Sequence, residues 1–246
     1  MIACQLVVWF YVFSMIGWLF ECIYCSIVEK RWCNRGFLFG PVCPIYGAGA
    51  VAALIVFGNH LVRASLPAPW AIFLICGIGA SCMEWVTSVV MERVFGTVWW
   101  DYSDMPLNLK GRVCVPAACL FGICGVAIVY LALPLIDVVV AVVPPLAFEI
   151  CGLVLGMLFA VDMTLSICTL TEILAAIEHA QGTFDDRVQG VMDAADDRLR
   201  IAAETMGARQ QHILHNMRRF RTERLGGGVR RLTETLDNVI RKGRRP

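Results

Sequence analysis

Three acidic residues stand in sequence apolar enough to dissolve in lipid: Glu21 in GWLFECIY, Glu84 in ASCMEW and Asp162 in FAVDMT. A carboxylate in hydrocarbon costs at least about 2.5 kcal/mol on insertion scales, so each should face a bundle interior and hold a partner there. Counted from the start of their apolar stretches, the three lie at similar depth, which predicts convergence on one polar site. Arg35 and Arg112, each close to the start of a following apolar stretch, are the expected counter-charges, and Asn34 and Asn108 can add neutral hydrogen bonds. Asp101, in WWDYS (Trp99 to Ser103), either closes over this cluster or stands solvated in an interfacial belt of Trp99, Trp100 and Tyr102. Such an arrangement suits binding or conduction, although the same charges can serve only to hold helices together.

Acids near a membrane interface could also do general acid–base work on lipid headgroups. The four histidines, His60, His179, His212 and His215, lie away from the carboxylate motifs, and no nucleophile–His pair or metal-ligand set appears. The sequence therefore reads as a non-enzyme with no metal and no cofactor. Cys22 and Cys25 form a CxxC, but in apolar helical sequence free Cys behaves as a small hydrophobe. The same holds for most of the 12 cysteines, which fall in apolar spans or on turns where thiols stay reduced.

The elements that would position these groups follow from composition. Of 246 residues, 58% are hydrophobic and 17% charged, and the mean hydropathy is +0.68. Those values belong to an integral membrane protein. A crossing helix needs about 20 mostly apolar residues, and the stretches Leu6 to Val28, Pro41 to Leu61, Trp70 to Met91, Val113 to Leu133 and Leu146 to Leu170 qualify. The fold class is thus all-α, with about five transmembrane helices. Leu135 to Pro145, broken by Asp137, Pro144 and Pro145, reads as a connector or interfacial helix. The first stretch is too long and too acidic for a secretory signal, so it is expected to remain in the protein.

Lys and Arg alternate between dense and sparse along the connections, from Lys30, Arg31 and Arg35, through Arg63 alone, to Arg93, Lys110 and Arg112. The positive-inside rule then places the C-terminal tail in the cytosol of a cell with an inner, plasma membrane. A repeat runs through the same region. Glu21 and Glu29, followed by Lys30, are matched by Glu84 and Glu92, followed by Arg93. Gly36, Pro41, Ile45, Tyr46 and Gly47 have the mutual offsets of Gly111, Pro116, Leu120, Phe121 and Gly122. Each unit is a helix with an interior Glu, a charged turn, and a return helix opening on G-x4-P-x3-[IL]-[YF]-G. The second turn is longer because it inserts the segment around WWDYS. Two such units in parallel could pack about a pseudo-twofold axis along the membrane normal.

The domains read as residues 1–170, transmembrane, and 171–246, a charged cytosolic tail. In the tail, Ile177, Phe184, Val188, Val191, Ala195 and Leu199 recur mostly at three- and four-residue steps, the pattern of an amphipathic helix. Self-association through such stripes would make a homo-oligomer. The basic terminus, with Arg230, Arg231, Arg241, Lys242, Arg244 and Arg245, is drawn to anionic headgroups of the bilayer. No recognised module frames these residues for nucleic acid.

The ordered strings GWLFECIY, NRGFLFGPVCPIYGAGA (Asn34 to Ala50), Met83–Glu84, WWDYSDMPLNLKGRVCV (Trp99 to Val115) and Asp162 resemble the CmpB-like family of ABC-transporter type IV permeases, over roughly Phe10 to Ile167. The resemblance implies a membrane transport protein or permease-like subunit. No G-x4-GK[ST] phosphate loop is present, so the family label implies a separate ATPase subunit as partner. The alternative is a non-transporting scaffold or regulator that works through its helical tail.

Overall fold

A computed structural model describes residues 2–30, 32–34, 36–59, 62–63, 65–96 and 98–185. Among the described residues, six longer α-helices follow one another: α1 (Ile2–Glu29), α2 (Pro44–Phe57), α3 (Pro69–Phe95), α4 (Val115–Ala127), α5 (Leu133–Val142) and α6 (Pro145–Asp185). A two-residue hairpin, β1 (Asn108–Leu109) with β2 (Val113–Cys114), precedes α4. Its strands are antiparallel, with Asn108 opposite Cys114 and Leu109 opposite Val113. The turn between them places Lys110 and Gly111 at φ 52° and 67°, and the Arg112 N–H donates to the Leu109 carbonyl. Two successive positive φ values make a mirror-image turn, for which glycine at the second position is the least strained choice.

Among the described residues, four stretches are long and apolar enough to cross a membrane: Ile2–Ile27, Pro69–Phe95, Val115–Val142 and Pro145–Ala175. The protein is therefore a mostly helical, multi-pass membrane protein. The expected span from Pro41 to Leu61 is shorter than its hydropathy suggests, because only the 14 residues of α2 are helical. At 1.5 Å per residue they cover about 21 Å, against about 30 Å of hydrocarbon. Pro44 sets the start of α2 by occupying its first turn, and the chain from Gly36 to Cys43 approaches it as irregular backbone.

Of the two readings of Leu135 to Pro145, connector or interfacial helix, the connector is corrected: the stretch is helical as far as Val142. Helix continues from α4 through a π turn, Ile128–Ala132, into α5 and ends at Val142, just before Pro144. Pro134 explains the π turn, because its ring cannot tolerate the carbonyl of Tyr130 in an α-helical position and the wider turn relieves that clash. Asp137, which read as a break, lies within α5 and pairs with Arg63 at 2.7 Å.

Packing separates two compact units. The first, residues 2–87 and 102–163 where described, contains a core of Ala53, Leu54 and Phe57 from α2, Ile72 from α3, Val129 and Leu133, flanked by Trp9 and Phe13 of α1. Small residues let its helices touch. The second, residues 88–101 and 164–185 where described, buries Ser88, Trp99, Ser166, Leu170 and Ile173. Its helical part continues unbroken past Leu170 to Asp185. The tail stripes from Val188 onward lie outside the described residues.

Candidate functional site

Glu21 stands on α1 one turn beyond Gly17, and that spacing determines its partner. A Cβ at Gly17 would overlap the ring of Tyr46, so the absence of a side chain lets the ring lie across α1. Residues four apart share a helix face. The Tyr46 hydroxyl accordingly reaches Glu21 and donates to its Oε1 at 2.5 Å. One residue on, Gly47 of α2 sits directly against the carbonyl oxygen and ring of Phe10 and the hydroxyl of Ser14. The Cys43 N–H donates to the Ser14 carbonyl at 3.0 Å, fixing the start of α2 on the same turn of α1.

Glu84, on α3, is only 4% exposed. Its Oε1 accepts a hydrogen bond from the Tyr102 hydroxyl at 3.1 Å, while Oε2 has no partner among the described residues. Tyr102 comes from the loop after α3, not from a helix. The loop is tied together for that purpose: the Tyr102 N–H donates to the Gly111 carbonyl and the Met105 N–H to the Tyr102 carbonyl. Burial pushes the Tyr102 hydroxyl well above the usual tyrosine range, with the Glu84 charge second and the Glu21 charge also contributing. It is therefore a neutral donor at physiological pH, and both acids lie within electrostatic reach of it.

α3 and α4 approach each other at glycines as well. A Cβ on Gly122 would stand 2.8 Å from the Phe73 carbonyl oxygen and closer still to the Phe73 ring, and one on Gly77 would stand 2.9 Å from the Ala118 carbonyl oxygen. Between the helical pairs, the Tyr46 and Phe121 rings face each other at 6.0 Å with a 56° tilt.

Asp162 of α6 accepts the backbone N–H groups of Phe39 at 3.0 Å and Gly40 at 2.9 Å. Those amides belong to the irregular segment before α2, whose donors would otherwise lack helical partners. A Cβ on Gly40 would come 2.8 Å from Asp162 Oδ2. Asp162 thus clamps a loop through two backbone amides, whereas Glu21 and Glu84 each accept from a tyrosine hydroxyl.

Other expected site residues take different places. Asn34 accepts hydrogen bonds through Oδ1 from Trp18 Nε1 at 2.9 Å and from Cys22 Sγ at 3.8 Å, so it braces the loop against α1 and not a carboxylate. Asn108 is corrected likewise. Its side chain donates to the carbonyls of Ser103 and Met105 and accepts from the Gly111 N–H, because a tight turn with positive φ at Leu107 and Lys110 needs those groups satisfied locally. Arg112 lies 5.7 Å from the centre of the Trp85 ring. Asp101 is exposed and belongs to the second unit. Arg35 lies outside the described residues. Tyr102 is not a belt residue, and Trp99 is buried at 8% exposure.

Sequence reasoning missed Tyr46 and Tyr102 as the donors. The first was visible as the aromatic position of the repeated motif, and the second only as part of an insertion. Chemically, each of the two carboxylates accepts a hydrogen bond from one phenol, Glu21 from Tyr46 and Glu84 from Tyr102.

No curated protein and no solved structure matches the chain. A family model described as "Putative ABC-transporter type IV" matches residues 8–167, which include both acids, both tyrosines and Asp162. The chain belongs to that family of ABC-transporter-type membrane proteins.

Proposed function

We propose that this protein is the permease-like membrane subunit of a transporter, in which Glu21 and Glu84 flank one polar site between helices, open toward the cytosol. The observation that carries the reading is the pair of tyrosine-capped acids with their two supporting sets of contacts. By the offset that carries Glu21 to Glu84, Phe10 goes to Phe73 and Ser14 to Gly77. By the offset that carries Gly36 to Gly111, Gly47 goes to Gly122, Cys43 to Ala118 and Tyr46 to Phe121. Gly47 rests on Phe10 as Gly122 rests on Phe73, against the same carbonyl and ring. Equivalent residues making equivalent contacts support a duplicated helical pair, and the facing rings of Tyr46 and Phe121 support an axis running between them.

One break in the correspondence strengthens the functional reading. Phe121 lacks the hydroxyl that Tyr46 gives to Glu21, and the inserted loop supplies Tyr102 to Glu84 in its place. Mere helix glue could have lost the second acid along with its donor. Keeping a 4% exposed carboxylate with an orphaned oxygen costs about 1–3 kcal/mol, a cost that a binding role explains. The cytosolic side follows from the Lys- and Arg-rich turns, and hydrolysis of ATP would fall to a separate subunit.

The test is solute counterflow in proteoliposomes across a panel of cationic, zwitterionic and anionic solutes. Wild-type protein is expected to carry at least one class, and Glu21→Gln/Glu84→Gln to lose that flux. Equal flux by both proteins across the panel would overturn the reading.

A further inference from the structure

The face of α3 and α4 that bears Trp85 holds a groove of about 490 Å³. Its walls are apolar, with Phe73 and Trp85 from α3, Cys119 from α4 and Val113 from the hairpin, and Gly77 and Ala118 form part of the lining. Small residues at the crossing keep the groove open where larger ones would fill it. From Phe73 to Val86 the lining follows α3 for about 20 Å. One leaflet of hydrocarbon is about 15 Å deep, half of a 30 Å core. The groove is therefore as long as a single lipid tail.

One end of the groove is cationic. Leu109 and Val113, cross-strand neighbours at the hairpin, line it there, and the turn between them presents Lys110 and Arg112. Lys110 is exposed. The Arg112 guanidinium is held over the Trp85 ring at 5.7 Å, and Trp85 itself lines the groove. A leaflet-deep apolar channel ending in two cations complements an amphiphile with an anionic head. An apolar partner helix would match the channel but not the exposed Lys110 charge at its end.

We propose that this groove is a site for one anionic phospholipid, its acyl chain along α3 between Phe73 and Val86 and its phosphate at Lys110 and Arg112. The site is separate from the Glu21 and Glu84 carboxylates and does not depend on their role. Bound there, the lipid bridges α3, α4 and the hairpin, and so steadies the loop that presents Tyr102.

The experiment is native mass spectrometry of the full chain in detergent, titrated with dioleoylphosphatidylglycerol or with dioleoylphosphatidylcholine. The wild type should retain one phosphatidylglycerol in preference to phosphatidylcholine. Lys110→Gln should weaken phosphatidylglycerol retention roughly fivefold, the effect of one cation near an anionic headgroup. Cys82→Trp, which fills the groove from an exposed position, should abolish retention of that lipid without lowering the lipid-free unfolding temperature. Equal retention of the two lipids by the wild type, or phosphatidylglycerol retention indifferent to both substitutions, would overturn the proposal; the latter would assign the lipid to the Arg-rich terminus. A dimer that the Cys82→Trp substitution dissociates would overturn it in favour of a second copy of the chain.

Discussion

The α1–α2 pair and the α3–α4 pair meet the same demand by different routes. In the first, the donor to the buried acid is built into the return helix, where Tyr46 follows the helix-starting Pro44 and crosses α1 at Gly17. In the second, the return helix has Phe121 at the matching place, and a loop tied by Asn108 delivers Tyr102 instead. The irregular segment also differs. Before α2 it is held by Asp162 of a distant helix, whereas before α4 it closes on itself as a hairpin. The acid and the helix crossing are common to both pairs, while the means of satisfying the surrounding polar groups is local to each. A carboxylate away from water fixes what must be present around it, not which element provides it.

The largest expected effect breaks the comparison on the side where the two pairs differ most. Asp162→Ala leaves the Phe39 and Gly40 amides without their acceptor and should destabilise the protein by about 4 kcal/mol, the worth of two charge-assisted hydrogen bonds. Thermal unfolding in detergent measures it, and limited proteolysis should report cleavage confined to residues near 36–43. A loss smaller than about 1 kcal/mol, the worth of a single neutral hydrogen bond, would mean that the clamp is incidental.

Next come the crossings, where the pairs should respond alike. Gly47→Ala and Gly122→Ala each press a methyl group against a backbone carbonyl and an aromatic ring, and each should cost about 3 kcal/mol, the upper end for overpacking. Gly49→Ala and Gly79→Ala, where nothing stands within 4 Å, should be neutral or slightly stabilising. A large loss at Gly47 with none at Gly122 would separate the two pairs.

A smaller effect sharpens the contrast between helix-borne and loop-borne donors. Tyr46→Phe and Tyr102→Phe each remove one hydroxyl from a carboxylate and should cost about 2 kcal/mol. Phe121→Tyr added to Tyr102→Phe should restore part of the loss, because it offers the second pair a helix-borne hydroxyl like that of Tyr46. Unfolding midpoints of the single and double variants would decide the point, and no rescue would mean that the ring at 121 does not face Glu84 as Tyr46 faces Glu21.

Much of this was legible in the sequence because charge is conspicuous in apolar surroundings. Glu21, Glu84 and Asp162 stood out for that reason, and the offsets of the Gly, Pro and aromatic positions pointed to the helix crossings. What hydropathy could not convey was length: Pro41 to Leu61 is apolar throughout, yet Pro44 delays the helix and Gly58 follows its end. Nor could it convey the π turn that Pro134 brings, and Asp137 looks like a break until an Arg63 partner accommodates it. Tyr102 was hidden for a different reason. Its role arises from a tertiary contact between a loop and α3, and nothing local distinguishes it from an interfacial aromatic residue. Asn34 and Asn108 were matched to the wrong partners because a side-chain amide serves a turn as readily as a carboxylate.

The central claim is that Glu21 and Glu84 belong to one site. A double-mutant cycle on reversible unfolding of Glu21→Gln, Glu84→Gln and the double variant tests it most directly. Shared electrostatics predicts that the two single effects fail to add by more than about 0.5 kcal/mol, the margin within which independent sites are additive. Additivity inside that margin would place the acids in separate environments and contradict the account.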